Sequence, residues 1–124
     1  MIAGIVDEYG RALVPLLFQT QPQGTPIEIT VWIDTAFTGD LVLPRSTISQ
    51  LALKRVSNVE ARLADGSVSS YDVFKGWTTW FGESRKLEVI EGDASLPLLG
   101  TRMLTGLRLT VDYASHEVRI ERPA

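Results

Sequence analysis

The sequence has 124 residues, of which 44% are apolar, and this length suits one domain spanning residues 1–124 with a sizeable core. Its formal net charge of −3 gives no electrostatic reason to expect nucleic acid or an anionic membrane surface as a partner. With no cysteine and one histidine, the chain excludes a disulfide framework, a thiol nucleophile and a Cys- or His-rich metal site, so no metal and no cofactor are expected.

The N-terminal residues do not have the pattern of a targeting signal. They lack a basic segment, and Asp7 and Glu8 come too early for a signal peptide. No apolar run reaches the roughly 18 residues that cross a bilayer. We therefore expect a soluble, cytoplasmic chain with no membrane as a partner.

Most of the remaining sequence has the pattern of strands separated by turns. Residues 27–33 alternate apolar and polar side chains with a period of two, and Asp65-Gly66-Ser67 between two strand-like runs indicates a hairpin. Ser46 is a possible N-cap for a short helix over 47–51, and 101–104 is a possible helical turn. From the N-terminus onward, the predicted strands are 2–6, 12–18, 27–33, 41–44, 56–64, 68–80, 86–90, 96–99, 107–111 and 117–120. They predict an all-β fold, a barrel or closed sandwich with one or two short helices.

The segment with the most chemical information runs from Val31 to Gly39 and reads Val-Trp-Ile-Asp-Thr-Ala-Phe-Thr-Gly. Asp34 follows an apolar strand, where side chains leave a sheet and meet a loop. The segment resembles the apolar-apolar-Asp-Thr/Ser-Gly signature of the aspartic proteases, and most of all the bacterial branch of small retropepsin-like proteins. This resemblance implies a closed β-barrel of the retropepsin-like acid protease type.

Two further segments extend the resemblance over roughly residues 2–120. Leu98-Leu99-Gly100 is similar to the family's second element, in which a strand crosses near the catalytic loop in a ψ-shaped arrangement. Ala64-Asp65-Gly66-Ser67 occupies the position of the family's flap, a hairpin that covers the substrate. The resemblance thus implies a structural role for the first segment and substrate binding for the second.

The resemblance also implies a reaction. Two carboxylates at short range cannot both be ionised, so they share a proton, and together they activate a water and polarise a peptide carbonyl. The chain supplies one such carboxylate, Asp34, which implies a symmetric homodimer with two copies of Asp34 at its axis. The implied function is an aspartic endopeptidase acting on peptides or unfolded proteins, with Asp34, Thr35 and Ala36 in the catalytic loop and the Thr35 hydroxyl locking the two loops together.

Several residues depart from the family's pattern. Ala36 stands where the family usually has glycine, which permits close backbone approach. Thr38 and Thr101 stand where retroviral members have an acidic residue and an arginine, so we expect the chain to lack that buried ion pair. Asp40 is expected to be solvated and not catalytic.

Two other interpretations stay open from the sequence. Ala36 could misplace the paired carboxylates, which would make the chain a weak or inactive peptide-binding or dimerisation module on the same barrel. The chain could also be an unrelated small β-barrel in which Asp34-Thr35 is accidental, because an aspartate after a strand is often only a turn residue.

Overall fold

The computed structural model describes residues 1–62 and 65–124, and in these parts of the chain it contains ten strands, one six-residue α-helix and one turn of 3₁₀ helix. Helix α1 is Arg45–Gln50, and the 3₁₀ turn is Thr101–Leu104. The strands are β1 (Ile2–Val6), β2 (Ala12–Gln19), β3 (Ile27–Ile33), β4 (Leu41–Pro44), β5 (Arg55–Arg62), β6 (Val68–Trp80), β7 (Glu83–Gly92), β8 (Leu98–Leu99), β9 (Arg108–Asp112) and β10 (Glu117–Glu121). The all-β prediction is confirmed in its coarse form, a mostly β-sheet chain with a short helix.

Hydrogen bonds join six of the strands in a ring. The order around it is β2, β6, β7, β4, β8 and β3, and β3 pairs with β2 again. Strand β5 extends the sheet from β6, whereas β1, β10 and β9 extend it from β2. In this ring β8 lies between β3 and β4. The closed barrel expected from the sequence stays a prediction.

One cluster of buried apolar side chains forms the core. It takes alternate residues of β2, β4, β7 and β10, as the period-two pattern of a strand with one buried face requires. In β3 only the C-terminal half of the predicted apolar face is buried: Val31 and Ile33 lie in the core, whereas Ile27 is 41% exposed. The end of β3 that precedes Asp34 is therefore its firmly packed end.

Several element boundaries differ from the prediction, and two of these differences have a clear physical cause. Helix α1 begins at Arg45, directly after β4, because Pro44 lacks an N–H for the sheet and ends the strand; the predicted cap Ser46 therefore lies inside the helix. Strand β7 begins three residues before the predicted 86, because Phe81 and Gly82 both adopt positive φ and form a tight two-residue turn that pairs β6 with β7 from its first residue.

No helix in the described residues is long and apolar enough to cross a membrane.

Candidate active site

Asp34 is positioned by the packed end of β3. Its backbone amide donates a hydrogen bond to the carbonyl oxygen of Leu99 (2.9 Å), and its own carbonyl accepts one from the amide of Phe37 (3.1 Å). The side chain is half-buried, and its Oδ1 accepts a hydrogen bond from the Ala36 amide at 2.9 Å. The carboxylate is thus fixed in a tight turn at the edge of the sheet, and it remains accessible.

Strand β8 lies between the two strands that flank the Asp34 loop. It pairs in parallel with β3, where Ile33 is opposite Leu99, and antiparallel with β4, where Leu41 is also opposite Leu99. Leu99 is fully buried and Leu98 is half-buried. Residues 34–40 therefore form a loop that joins β3 to β4 and passes β8, which is the ψ-shaped arrangement.

The segment after β8 is bound to the same loop through its backbone. The amides of Gly100, Thr101 and Arg102 donate hydrogen bonds to three carbonyl oxygens of the loop, those of Asp40 (2.9 Å), Phe37 (2.8 Å) and Gly39 (3.2 Å) respectively. A Cβ atom at Gly100 would overlap the carbonyl oxygen of Gly39. Only glycine allows this close approach of two backbones.

A cleft of about 430 Å³ opens beside Asp34. Its lining comprises Trp32, Ile33, Asp34, Thr35, Ala94 and Leu98. Trp32 and Leu98 are opposite each other in the pairing of β3 with β8, and their side chains form apolar walls. Thr35 and Ala36 are exposed on the loop. The arrangement places one carboxylate at the margin of a cleft with apolar walls.

An arginine supports one wall of this cleft. The guanidinium of Arg11 lies 5.7 Å from the centre of the Trp32 ring, and Asp7 binds it at 2.7 Å. Desolvation raises the pKa of Asp7, but hydrogen bonds from Arg11 and Tyr9, together with the charge of Arg11, bring it below its usual value. Asp7 therefore binds the Arg11 guanidinium, which lies 5.0 Å from the centre of the Tyr9 ring and also faces Trp32.

The predicted flap corresponds to the connection between β5 and β6. Asp65 accepts hydrogen bonds from the Ser67 hydroxyl (2.6 Å) and amide (2.9 Å), and Gly66 has a φ of +86°. These two bonds, with the hydroxyl first, lower the pKa of Asp65. Ala64 lies outside the described residues. Most side chains of β5 are exposed, so this part of the sheet has little of the core beneath it.

The chain is similar to known proteins in its structure but not in its sequence. No protein-family model and no curated protein matches the sequence. A retropepsin-like aspartic protease from Rickettsia conorii matches with a TM-score of 0.63 and 15% identity, over 98% of this chain and 89% of that one. EIAV protease, solved with an inhibitor, matches with a TM-score of 0.58 and 17% identity, over 80% of this chain and 89% of that one. Simian foamy virus protease matches with a TM-score of 0.50 and 16% identity, over 73% of this chain and 91% of that one.

The chain has the fold of the retropepsin-like aspartic proteases. In this retropepsin-like fold, Asp34-Thr35-Ala36 and Leu98-Leu99-Gly100 are brought together, whereas Asp65-Gly66-Ser67 lies at the end of a separate hairpin. Identities of 15–17% show the fold alone and assign no role to these residues.

The retropepsin-like fold of this chain also contains a buried carboxylate that the sequence did not predict. Asp40 is only 5% exposed, so the expectation that it is solvated is wrong. Its Oδ2 accepts a hydrogen bond from the Glu88 amide (2.9 Å), and its Oδ1 accepts one from Nη2 of Arg85 (3.3 Å). Nη1 of Arg102 lies 3.8 Å from Oδ2.

The loop nevertheless has ion pairs of a different kind, in which the buried Asp40 carboxylate contacts two partly exposed arginines. Thr38 and Thr101 carry no charge, as the sequence shows. The ion pairs here join Asp40, two residues after Thr38, to Arg102, one residue after Thr101. Arg85 in β7 also pairs with Asp40. The only signal in the sequence was an acidic residue directly before the buried strand β4. It could not be interpreted because both arginines come from distant parts of the chain.

Among the described residues, no group of three or more His, Cys, Asp or Glu side chains could hold a metal ion.

Proposed function

We propose that the chain is a homodimeric aspartic endopeptidase, a single retropepsin-like domain over residues 1–124 with a closed barrel, in which the Asp34 carboxylates of two copies act together. The observation that carries the proposal is the position of Asp34. It lies at the packed end of β3 beside β8, it is accessible, and it lines an apolar cleft. One carboxylate alone supplies half of the acid–base chemistry, so the second copy completes the site.

In the proposed reaction the two carboxylates share one proton because both cannot be ionised at short range. The ionised member accepts a proton from a water as the water attacks the peptide carbonyl carbon. The protonated member donates its proton towards the carbonyl oxygen, which gives a tetrahedral intermediate. The C–N bond then breaks as the leaving nitrogen takes up a proton, and no metal or cofactor is needed.

The proposed substrate is an extended peptide or an unfolded protein segment. Its backbone would form strand-like hydrogen bonds, and alternate side chains would enter pockets. The apolar walls of the cleft, Trp32 and Leu98, suit an apolar side chain beside the scissile bond. The candidate flap at Ala64-Asp65-Gly66-Ser67 would cover the bound peptide from the other side.

Thr35 and Ala36 have separate roles in this proposal. Thr35 is exposed next to Asp34, so its hydroxyl is accessible to the loop of a second copy. The Ala36 amide donates a hydrogen bond to the Asp34 carboxylate. The φ of Ala36 is not positive, so the loop forms without a glycine at this position. This geometry favours an active site over a merely peptide-binding module. Cytoplasmic location stays a prediction from the sequence.

The test is cleavage of an unfolded protein substrate between pH 3 and 7, with and without a statine-type transition-state inhibitor. We expect cleavage that the inhibitor blocks, and a loss of about 100- to 10 000-fold in Asp34→Asn. Asp93→Asn is the matched control, because that carboxylate is 94% exposed and should leave the rate unchanged. Cleavage that survives Asp34→Asn would refute the proposal. A dimer that binds peptide without cleaving it would favour the binding module, and a monomer at high concentration would refute the dimeric site.

A further inference from the structure

We propose that Asp40 is a positioning residue, whose buried carboxylate fixes the Asp34 loop simultaneously against β7 and against the 3₁₀ turn. This inference deepens the proposed function and rests on it for its catalytic consequence. The structural part, that Asp40 determines the rigidity of the loop, can be tested without any activity.

The carboxylate is bound from two directions. The Glu88 amide and Arg85 approach it from β7, and Arg102 approaches it from the 3₁₀ turn. Arg85 also donates a hydrogen bond to the backbone carbonyl oxygen of Arg102 at 3.1 Å, which joins its side chain to the 3₁₀ turn. Since a buried charge is tolerated only when it is paired and hydrogen-bonded, these contacts determine where Asp40 can lie.

The loop needs such an anchor because its outer part has little packing of its own. Thr35, Ala36 and Thr38 are exposed, and the backbone bonds to residues 99–102 hold the loop only on the side of β8. The Asp40 side chain adds the connection to β7. The loop is then held on both sides, which restricts the position of Asp34 at its other end.

The same contact connects the loop to β7, which pairs with one of the two strands of the candidate flap hairpin. Glu88 in β7 pairs with Lys75 in β6, and β6 continues towards its N-terminus into the hairpin with β5. Asp40 therefore binds the strand next to the base of this hairpin. The Asp34 loop and the base of the candidate flap hairpin are therefore both joined to β7.

Stability alone does not account for the ion pairs. The side chains of Arg85 and Arg102 are 32% and 53% exposed, and an ion pair with a partly exposed partner adds little net stability, whereas burial of the Asp40 carboxylate costs free energy. The core around the loop is otherwise apolar, so a leucine-like residue would serve if only packing were needed. A carboxylate that accepts hydrogen bonds from the Glu88 amide and from Arg85 instead has one preferred orientation, since hydrogen bonds are directional, and the charge of Arg102 lies nearby.

The decisive variant is Asp40→Asn, which keeps the shape of the side chain and an acceptor for the Glu88 amide but removes the charge. We expect kcat to fall by about 10- to 100-fold while KM changes little, because small displacements of a catalytic group cost rate and not ground-state binding. The control is a core truncation in β10, Ile120→Val or Ile120→Ala, chosen to lower Tm by the same amount as Asp40→Asn. If the control loses as much kcat as Asp40→Asn, the role is structural and the proposal fails.

A second measurement is independent of catalysis. We expect the backbone amides of Asp34, Gly100, Thr101 and Arg102 to exchange with deuterium at least about tenfold faster in Asp40→Asn than in the stability-matched control. If Asp40→Asn does not fold, Arg85→Gln removes one partner from a partly exposed position and should speed the same amides less strongly.

The outcomes separate the two proposals. Absence of cleavage by the wild-type protein refutes the endopeptidase, whereas the exchange experiment still decides the role of Asp40. Equal exchange in Asp40→Asn, or in Arg85→Gln, and in the control refutes the positioning role even if the enzyme is active.

Discussion

Ala36 shows how one residue can depart from a family's pattern without straining the backbone. Glycine at such a position is useful where φ is positive or where another chain passes very close. Here the φ of Ala36 is not positive, its side chain is exposed, and its amide binds Asp34. Within one copy of the chain, nothing about this position demands glycine.

We therefore expect Ala36→Gly to leave kcat/KM within about threefold of wild type. The variant should lower the free energy of unfolding by about 0.4–1 kcal/mol, because glycine has more conformational freedom in the unfolded chain. Enzyme kinetics and urea denaturation measure the two effects. A gain of more than about tenfold in kcat/KM would show that the Ala36 methyl group misplaces the paired carboxylates.

The Asp65 turn offers a prediction about pH. The Ser67 hydroxyl and then its amide hold the pKa of Asp65 below the ordinary value of 3.8, so ionisation stabilises the turn. This contribution is fully present above the ordinary pKa and is lost as the pH falls through the lower, folded-state pKa. Ser67→Ala removes the larger cause, so the pKa of Asp65 should rise towards 3.8.

An NMR titration of the Asp65 carboxyl carbon measures this shift. Ser69→Ala is the control, because it removes a hydroxyl from the same hairpin without touching Asp65, and it should leave the titration unchanged. An unaltered pKa in Ser67→Ala would mean that the hydroxyl does not bind the carboxylate in solution.

Among the structural elements, the two-residue strand β8 makes many of the contacts that hold the Asp34 loop. It supplies the partner for both β3 and β4, and its carbonyl at Leu99 binds the Asp34 amide. Its two leucines face different surroundings, because successive side chains of a strand point to opposite faces. Leu99 lies in the core, whereas Leu98 lines the cleft.

The two leucines should therefore respond differently to truncation. We expect Leu99→Ala to lower the free energy of unfolding by about 2–5 kcal/mol, as for a fully buried leucine. Leu98→Ala should cost less stability and should instead raise KM for substrates with a large apolar residue beside the scissile bond. Denaturation at one fixed protein concentration measures the stability of both variants, and steady-state kinetics measure the KM of Leu98→Ala. Equal losses of stability would contradict the packing described here.

For the complete chain, the central question is whether the active unit contains two copies. Wild-type protein mixed with an equal amount of Asp34→Asn would form mixed dimers that carry only one functional carboxylate. Random pairing then lowers the activity to about half of that of the wild-type protein alone. A site within one copy would keep all of its activity in the mixture.

Two controls make this mixing experiment conclusive. Mixing with Asp93→Asn should not lower the activity, and sedimentation should show a dimer at the concentrations used. Dilution below the dissociation constant should reduce specific activity, because the monomer is inactive. Specific activity that is constant on dilution into the monomer range would refute the dimeric site.

The sequence predicted most of what is local in this structure. Alternating side chains in residues 27–33 located β3, and the apolar run before Asp34 placed that carboxylate at a strand end. Features that depend on distant residues were not predictable. The burial of Asp40 depends on Arg85 and Arg102, and the early start of β7 depends on positive φ at Phe81, a residue that rarely adopts it. The sequence pattern of one segment does not indicate which distant arginines will contact it in the folded chain.

The late position of β8 has a consequence for biosynthesis. A nascent polypeptide that has emerged from the ribosome only through β7 has β3 and β4 but lacks the strand that lies between them. Pairings between such distant segments form late and slowly, because a long stretch of chain must first be brought together. A nascent chain that ends before β8 would thus carry Asp34 without the strand that binds its amide, so we expect no hydrolytic activity before β8 has been synthesised.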